Sequence, residues 1–239
     1  GQTVVVIDSG IDTDHPYFDN RIILSKTFGS GLTNGEDVGG HGTHVAGIIA
    51  SSDSQFKGVA PGAKIIALKI FDSPGASVEA ALQWCVANAD LYSIDAINLS
   101  LGFSGDFFQN DQSYWLEDYG LGDEFSALDE LGVVCIAASG NDYDGVRDKK
   151  TGEYVQYYVN TGPGKDDYRI ELAGTHSVQG ISAPAAYPGV ISVGATWGGP
   201  DQHSWGSFNG NIGAPNAGSI THFSQRDDVL LDVVAFGGG

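Results

Sequence analysis

The chain has 239 residues, 41% of them hydrophobic and 17% charged, and its formal net charge at pH 7 is −19. These values are typical of a globular protein and exclude wholesale disorder. Thirty acidic residues against eleven basic ones repel phosphate groups, so we expect neither nucleic acid nor a membrane surface as a partner. The sequence holds no apolar run of about 18 residues that could cross a bilayer, and its first residues lack the features of a signal peptide.

In chain order, apolar β-branched runs alternate with segments of helical periodicity. The runs predict parallel strands that are buried on both faces, at residues 4–8, 64–71, 96–100, 133–139 and 189–195. The helical patterns cover residues 43–51, 77–89 and 123–131, with Ser77 as the N-cap of the second. This alternation predicts an α/β fold with a doubly wound, mainly parallel central sheet and helices on both faces. Ligands bind such sheets at the carboxyl ends of the strands, which predicts one shared cleft.

Two stretches, at about 103–122 and 142–183, do not follow this alternation. Both are rich in Asp, Gly and aromatic residues, and we interpret them as surface insertions. Within the second, residues 153–159 carry a weak alternating pattern that is typical of a hairpin. No repeat or linker divides the chain, so we interpret residues 1–239 as one domain.

The two cysteines fall in predicted elements, Cys85 in a helix and Cys135 in a strand. Two cysteines do not define a disulfide framework, so buried free thiols are the default expectation. A bridge between them requires the helix to lie over that strand, which the spacing does not decide.

Asp8 and His41 are the first candidate catalytic pair. Asp8 ends a buried run in VVVIDSGID and is followed by residues that permit a sharp turn. His41 follows two glycines in GGHGTHVAGIIAS, and glycines let a substrate backbone approach closely. His41 and His44 have the spacing of half a zinc site, but the sequence lacks HExxH and any further ligand motif nearby. An imidazole oriented by a carboxylate is instead what general-base catalysis on a hydroxyl requires.

Six motifs carry a resemblance to a known family, and they follow one another as VVVIDSGID, GGHGTHVAGIIAS, GVAPGAKIIALKIF, INLSLG, AASGN and YPGVISVGA. In this order, and over essentially the whole chain, they resemble the subtilisin family of serine peptidases, whose catalytic residues follow in the order Asp, His, Ser. The resemblance implies that Asp8 orients the imidazole of His41, that His41 is the general base and acid, and that Asn141 donates to the oxyanion. It implies no cofactor for the chemistry.

The resemblance also implies two substrate-binding segments. One matches a strand edge against which an extended peptide pairs by β-augmentation, and it comprises Ser100, Leu101 and Gly102. The other is expected to form a wall of the specificity pocket and comprises Ala137, Ala138, Ser139 and Gly140. The next part of that pocket falls in the stretch 142–183, so the side-chain preference does not follow from the sequence.

A structural calcium ion is a further expectation from the resemblance. Asp232, with the main-chain carbonyls of Pro188 and Val190, matches a calcium position of the family, and ligation by oxygen alone suits that ion. The equally weighted alternative is that Asp232 is one exposed acid among thirty. The loop SSDSQFKG after the His41 helix is short and lacks the Asn-rich bulge with which some members bind their strong calcium, so the resemblance does not extend to that site.

The nucleophile is missing from the sequence, which contains no Gly-Thr-Ser-Met-Ala motif. Ser9, Ser139 and Ser224 do not replace it, because the motif match gives each of them another position. Three explanations are open: the serine lies on a separate or further portion of the polypeptide, the sequence is truncated, or the protein is an inactive homologue. We favour the first two, because a binding scaffold needs neither a general base nor an oxyanion asparagine.

These observations lead to one predicted function and one alternative. We predict a serine endopeptidase that hydrolyses proteins through an acyl-enzyme, with the remaining portion of its domain as a partner, either in the same polypeptide or as a separate chain. The alternative is an inactive subtilisin-like scaffold that binds extended peptides. The family and the acidic charge favour a secreted, extracellular location.

Overall fold

The computed structural model describes residues 1–29, 35–71, 77–103, 107–108, 116, 119–141, 144–147, 154–155, 175–177, 180–197, 224–225 and 230–238. The chain divides into two compact units. The first contains Gly1–Gly102, Tyr114–Ala138 and Tyr187–Ile191, and the second contains Phe103–Ser113, Ser139–Ala186 and Ser192–Gly239. The hairpin expected at residues 153–159 lies mostly outside the described residues. The assignment of residues 1–239 to one domain stays a prediction.

Twelve strands and three helices are present in the described residues. The strands are β1 (Thr3–Asp8), β2 (Ile22–Thr27), β3 (Lys64–Lys69), β4 (Ile94–Leu99), β5 (Phe107–Phe108), β6 (Val134–Ala138), β7 (Asp144–Arg147), β8 (Tyr154–Val155), β9 (Thr175–Ser177), β10 (Ile181–Ser182), β11 (Val190–Trp197) and β12 (Val233–Gly238). The helices are α1 (His41–Ala50), α2 (Val78–Tyr92) and α3 (Gly122–Glu130), and a short 3-10 helix covers Pro16–Phe18.

The first unit is built on a parallel sheet with the strand order β6-β4-β1-β3-β2. The chain leaves β1 toward β2 and β3 on one side and later returns to add β4 and β6 on the other. The strand order therefore reverses at β1, and in open α/β sheets such a switch point opens a crevice at the carboxyl ends of the strands. Asp8, the last residue of β1, stands at that point.

Helices cover both faces of this sheet. On one face, Val45 and Ala46 of α1 join a buried cluster with Val6 of β1 and Ile65 and Ala67 of β3. On the other, α2 packs on β1 and β4, while α3 packs on β6 and on α2. Each fully buried Val or Ile side chain contributes about 1.5 to 3 kcal/mol relative to exposure. The predicted doubly wound, mainly parallel α/β fold is confirmed.

The second unit contains four strand pairings. Strands β11 and β12 run parallel, from Val193 opposite Val233 onward. Strands β8, β7 and β9 form an antiparallel three-stranded sheet, and β10 pairs antiparallel with β5.

The predicted elements lie on β1, β3, β4, β6, β11 and the three helices, with informative differences. Ser77 caps α2 as predicted, because its hydroxyl accepts from the Ala80 amide at 3.1 Å. No pattern predicted β2, an edge strand whose residues are only partly buried. The stretches interpreted as surface insertions contain buried residues, Leu116 and Leu121 in one and Ile181 in the other. The Tyr187 hydroxyl donates to the carbonyl of Leu116 and accepts from the Leu121 amide, which holds this segment inside the first unit.

Two smaller expectations concern thiols and membranes. Cys85 and Cys135 are buried free thiols, as expected. Burial raises the pKa of the Cys135 thiol to about 12. A thiol so rarely ionised is a poor nucleophile. Among the helices in the described part of the chain, none is long and apolar enough to span a membrane.

Candidate active site

Asp8 is held rigidly at the carboxyl end of the central strand. Its side chain is fully buried, and its Oδ1 accepts a hydrogen bond from the Ser9 amide at 2.7 Å. The turn that follows needs glycine, because Gly10 has a φ of +107° and a Cβ there would lie 2.4 Å from the carbonyl oxygen of Gly35. The chain thus ends the strand with a carboxylate and turns away at once.

His41 is the first residue of α1, and it brings its imidazole to this carboxylate. The His41 Nδ1 and the Asp8 Oδ1 are 2.7 Å apart, while 57% of the His41 side chain remains exposed. Gly42 permits the approach, because a Cβ at that position would lie 2.2 Å from the carbonyl oxygen of Gly10 and 3.2 Å from the Asp8 Cβ. The helix start and the Asp8 turn are therefore in backbone contact.

The Asp8 carboxylate changes the acid-base behaviour of His41. The hydrogen bond to Asp8 raises the pKa of His41, partial burial opposes this, and the negative charges of Asp8 and Asp37 add to the rise. Since an ionised carboxylate only accepts, Nδ1 carries the proton and donates it to Asp8. The neutral imidazole then has Nε2 available as a proton acceptor. This is the geometry of a general base oriented by a buried acid.

Asp37 is a residue that the sequence patterns did not predict. Its carboxylate accepts from the amides of Gly40 and Thr43, both at 2.8 Å, and from the Ser9 hydroxyl at 2.9 Å. The signal in the sequence is an acid just before the helix in EDVGGHGTH, where acidic side chains satisfy the free amides of a first turn. The hydrogen bonds that Asp37 accepts from Gly40 and Thr43 explain why α1 begins at His41 rather than at the predicted residue 43.

Lys69 is a second residue without a prediction from the sequence. It ends β3 beside Asp8, is fully buried, and donates to the carbonyl oxygens of Ser9 at 2.9 Å and Glu36 at 2.7 Å. A lysine inside an otherwise apolar run, KIIALKIF, is the signal, because a buried ammonium requires acceptors. Lys69 ties the segment before α1 to the turn after β1.

His44 takes no part in this pair. It is exposed, whereas the Nδ1 of His41 is bonded to Asp8. In the part of the chain that the structure describes, there is no group of three or more His, Cys, Asp or Glu side chains that could hold a metal ion. Within these residues, His41 and His44 belong to no such group of metal-binding side chains.

The segment expected to pair with substrate follows β4 directly. Ser100 is half-buried, Leu101 is buried and Gly102 is exposed. Among the described residues, no hydrogen bond uses the main-chain N–H or C=O groups of these three residues. An added strand requires main-chain N–H and C=O groups that are free to pair with it.

The second predicted binding segment is divided between the units. Ala137 and Ala138 end β6 in the first unit. In the second, the Ser139 amide donates to Val193 at 2.9 Å and its carbonyl accepts from Ser182 at 2.8 Å. Both main-chain groups of Ser139 are therefore hydrogen-bonded within the second unit. The role of this segment as a pocket wall stays a prediction.

Asn141 and the expected calcium ligands also stay predictions. Asn141 is exposed and belongs to the second unit, after Gly140, whose φ is +111°. Asp232 is exposed, and its Oδ2 already accepts from the amide and hydroxyl of Ser192 at 2.8 and 2.9 Å. Calcium takes about six to eight oxygen ligands, and a single carboxylate that already accepts two hydrogen bonds supplies few of them. Pro188 and Val190 belong to the first unit.

Fold and site together define a class of protein. A parallel α/β sheet carries a buried acid at its switch point, and this acid orients an exposed histidine at the start of the next helix, as in hydrolases that use an Asp–His pair. The family model of the subtilases matches residues 1–239, and the chain belongs to that family.

Individual relatives agree with this assignment. The chain is 30% identical over 201 residues to the major intracellular serine protease of Bacillus subtilis (strain 168), covering 80% of this chain and 50% of that protein. It is 31% identical over 211 residues to subtilisin-like protease 3 of Pseudogymnoascus destructans, covering 84% of this chain and 46% of that protein. The chain thus spans about half the length of the curated relatives it matches.

Solved structures support the fold. A crystal structure of a lanthipeptide protease matches with a TM-score of 0.59 at 20% identity, covering 100% of this chain and 56% of that one. The psychrophilic subtilisin-like protease Apa1 from the Antarctic Pseudoalteromonas sp. AS-11 matches with a TM-score of 0.58 at 24% identity, covering 99% and 41%.

Proposed function

We propose that this chain is part of a serine endopeptidase whose catalytic groups include Asp8, His41 and Asn141. The observation that carries the proposal is the 2.7 Å contact between a buried Asp8 and an exposed His41, within a chain of the subtilase family. The serine is proposed to lie outside these 239 residues, which contain no Gly-Thr-Ser-Met-Ala motif.

In the proposed mechanism, His41 Nε2 takes the proton of the serine hydroxyl as the oxygen attacks the peptide carbonyl. Asp8 stabilises the imidazolium that results, without becoming protonated itself. The amide of Asn141 donates to the oxyanion of the tetrahedral intermediate, and loss of such a donor in a subtilisin lowers turnover by about 100- to 1000-fold. His41 then protonates the leaving amine, and water releases the acyl group by the reverse sequence.

The proposed substrates are proteins and peptides bound in an extended conformation. The main-chain groups of Ser100, Leu101 and Gly102, which no described residue engages, support this. Pairing by β-augmentation gives affinity through the backbone and tolerates varied side chains. We also propose an extracellular location from the net charge of −19. Relatives named as intracellular and as extracellular proteases both match, so membership of the family alone does not select a compartment.

Labelling with a fluorophosphonate probe tests the proposal in the full-length protein. We expect covalent labelling and cleavage of denatured casein, and we expect His41→Ala to lower turnover by several orders of magnitude while peptide binding persists. His44→Ala is the matched control, because His44 is exposed one turn further along α1. Equal activity in both variants would contradict the role of His41.

The alternative function is a peptide-binding scaffold without catalysis. The missing serine motif and the strand edge at Ser100 to Gly102 favour it. The same experiment separates the two functions. A full-length protein that binds peptide but takes no label and cleaves no casein is a scaffold.

A further inference from the structure

Asp37 is the centre of a hydrogen-bond network that lies entirely in the first unit. Its Oδ1 accepts from the Ser9 hydroxyl at 2.9 Å and from the amides of Gly39 and Gly40 at 3.0 and 2.8 Å. Its Oδ2 accepts from the amide and hydroxyl of Thr43 at 2.8 and 2.7 Å. A carboxylate with five donors has almost no freedom to reorient.

This network satisfies the first turn of α1 from outside the helix. Gly40, the N-cap residue, has no side chain that could cap, so the amides of Gly42 and Thr43 need other acceptors. The Ser9 hydroxyl accepts from Gly42 at 2.9 Å, and Asp37 accepts from Thr43. Because Ser9 also donates to Asp37, one network holds the start of α1 against the turn that follows Asp8.

The same carboxylate places a negative charge beside the catalytic histidine. Burial alone would raise the pKa of Asp37, but the hydrogen bonds from Thr43, Gly40 and Ser9 outweigh it and lower this pKa, so Asp37 is ionised at neutral pH. In the described part of the chain, the charges that raise the pKa of His41 are those of Asp8 and Asp37. Asp8 acts through direct contact, and Asp37 acts through space.

We propose that Asp37 is a positioning residue for His41, which locks the first turn of α1 onto the Asp8 turn and adds a second negative charge that stabilises the imidazolium. The contacts of Asp37 in the described residues are with Ser9, Gly39, Gly40 and Thr43, which is why its role is one of positioning. The catalytic meaning of this role rests on the proposed peptidase function, whereas the control of His41 geometry and charge does not.

The test is the titration of the His41 ring protons by NMR in the full-length protein. Asp37→Asn removes the charge and replaces an acceptor with an amide, so we expect the His41 pKa to fall. Asp37→Glu keeps the charge and should restore most of the wild-type value. Asp53→Asn is the matched control, because Asp53 also accepts two loop amides, from Gln55 and Phe56 at 2.8 Å, at the far end of α1.

These variants give distinct outcomes. A lower His41 pKa in Asp37→Asn, its recovery in Asp37→Glu and no change in Asp53→Asn support the proposal. An unchanged His41 pKa in a folded Asp37→Asn protein, or an equal fall in Asp53→Asn, overturns it. If the serine is present, kcat should also fall about tenfold, which corresponds to about 1.4 kcal/mol in activation free energy. KM should change little.

A second variant serves if Asp37→Asn does not fold. Ser9→Ala keeps the carboxylate but removes the hydroxyl that joins it to the Asp8 turn. We expect faster hydrogen exchange at the Thr43 amide and no change at Ala50, at the other end of α1. Unchanged exchange at Thr43 would overturn the positioning role.

Failure of this inference differs from failure of the proposed function. A protein with a shifted His41 pKa but no fluorophosphonate label would keep the positioning role and lose the peptidase. A labelled protein whose His41 pKa is indifferent to Asp37 would keep the peptidase and lose the positioning role.

Discussion

At the scale of single residues, the site depends on which atoms each polar group meets. Asp8 and His41 form the proposed catalytic pair, whereas Asp37 and Lys69 make hydrogen bonds to the segments around that pair. Lys69 is the clearest case, since a fully buried ammonium is tolerable only because two main-chain carbonyls accept from it. Lys69 is therefore a buried charged group whose hydrogen-bond partners are in position.

The raised pKa of His41 sets the pH dependence of the proposed reaction. A general base must be neutral, and a raised pKa keeps the imidazole protonated to higher pH, so the acid limb of kcat/KM should have its midpoint above 6.5, the ordinary value for histidine. Rates on a peptide substrate from about pH 5 to about pH 10 check this. A midpoint at or below 6.5 would contradict the assigned environment of His41.

At the scale of elements, the decisive contact is between the first turn of α1 and the turn after β1. The backbone of Gly42 lies against Gly10, and the side chains of Ser9 and Asp37 accept from the helix amides. Two features together position the start of the helix. Asp37, just before the helix, accepts from the Thr43 amide, and the turn after β1 contacts the first turn through Ser9 and Gly10. This explains how a histidine on a helix meets an aspartate on a strand at 2.7 Å.

Gly42→Ala tests this contact between elements. The added Cβ would lie 2.2 Å from the carbonyl oxygen of Gly10, so we expect a loss of about 1 to 3 kcal/mol in the free energy of unfolding, together with a disturbed His41. Chemical denaturation of the full-length protein measures it.

Gly47→Ala is the control for that substitution. It lies in the same helix with nothing within 4 Å of the added Cβ, and should stabilise by about 0.5 to 1 kcal/mol. Equal effects of the two variants would mean that the backbone contact at Gly42 has no energetic weight.

At the scale of the whole molecule, net charge and sheet topology matter most. The reversal of strand order at β1 places Asp8 at the switch point of the sheet in the first unit. The charge of −19 adds self-repulsion that opposes compaction, and salt screens it over a Debye length of about 10 Å at about 0.1 M. Cations should therefore stabilise the protein by screening its negative charges. A calcium ion bound at the position predicted around Asp232 would add stabilisation by specific ligation.

Thermal unfolding in sodium chloride and in calcium chloride at equal ionic strength separates these two effects. We expect Tm to rise in both salts and to rise further in calcium, and we expect Asp232→Asn to remove only the further increase. Asp90→Asn, an exposed acid on α2, is the control and should keep it. Identical responses to the two salts would support the alternative that Asp232 is an ordinary exposed acid.

The sequence by itself determined the alternating strands and helices, the N-cap at Ser77, and the candidates Asp8 and His41, because these follow from local periodicity and from motifs within a few residues. Only the tertiary structure decided that α1 begins at His41 and that Lys69 and Asp37 hold the turn after Asp8. The bonds of Asp37 and Lys69 to Ser9 join residues that are 28 and 60 positions apart along the chain. Hydrogen bonds over such separations depend on strand order, and no local pattern encodes strand order.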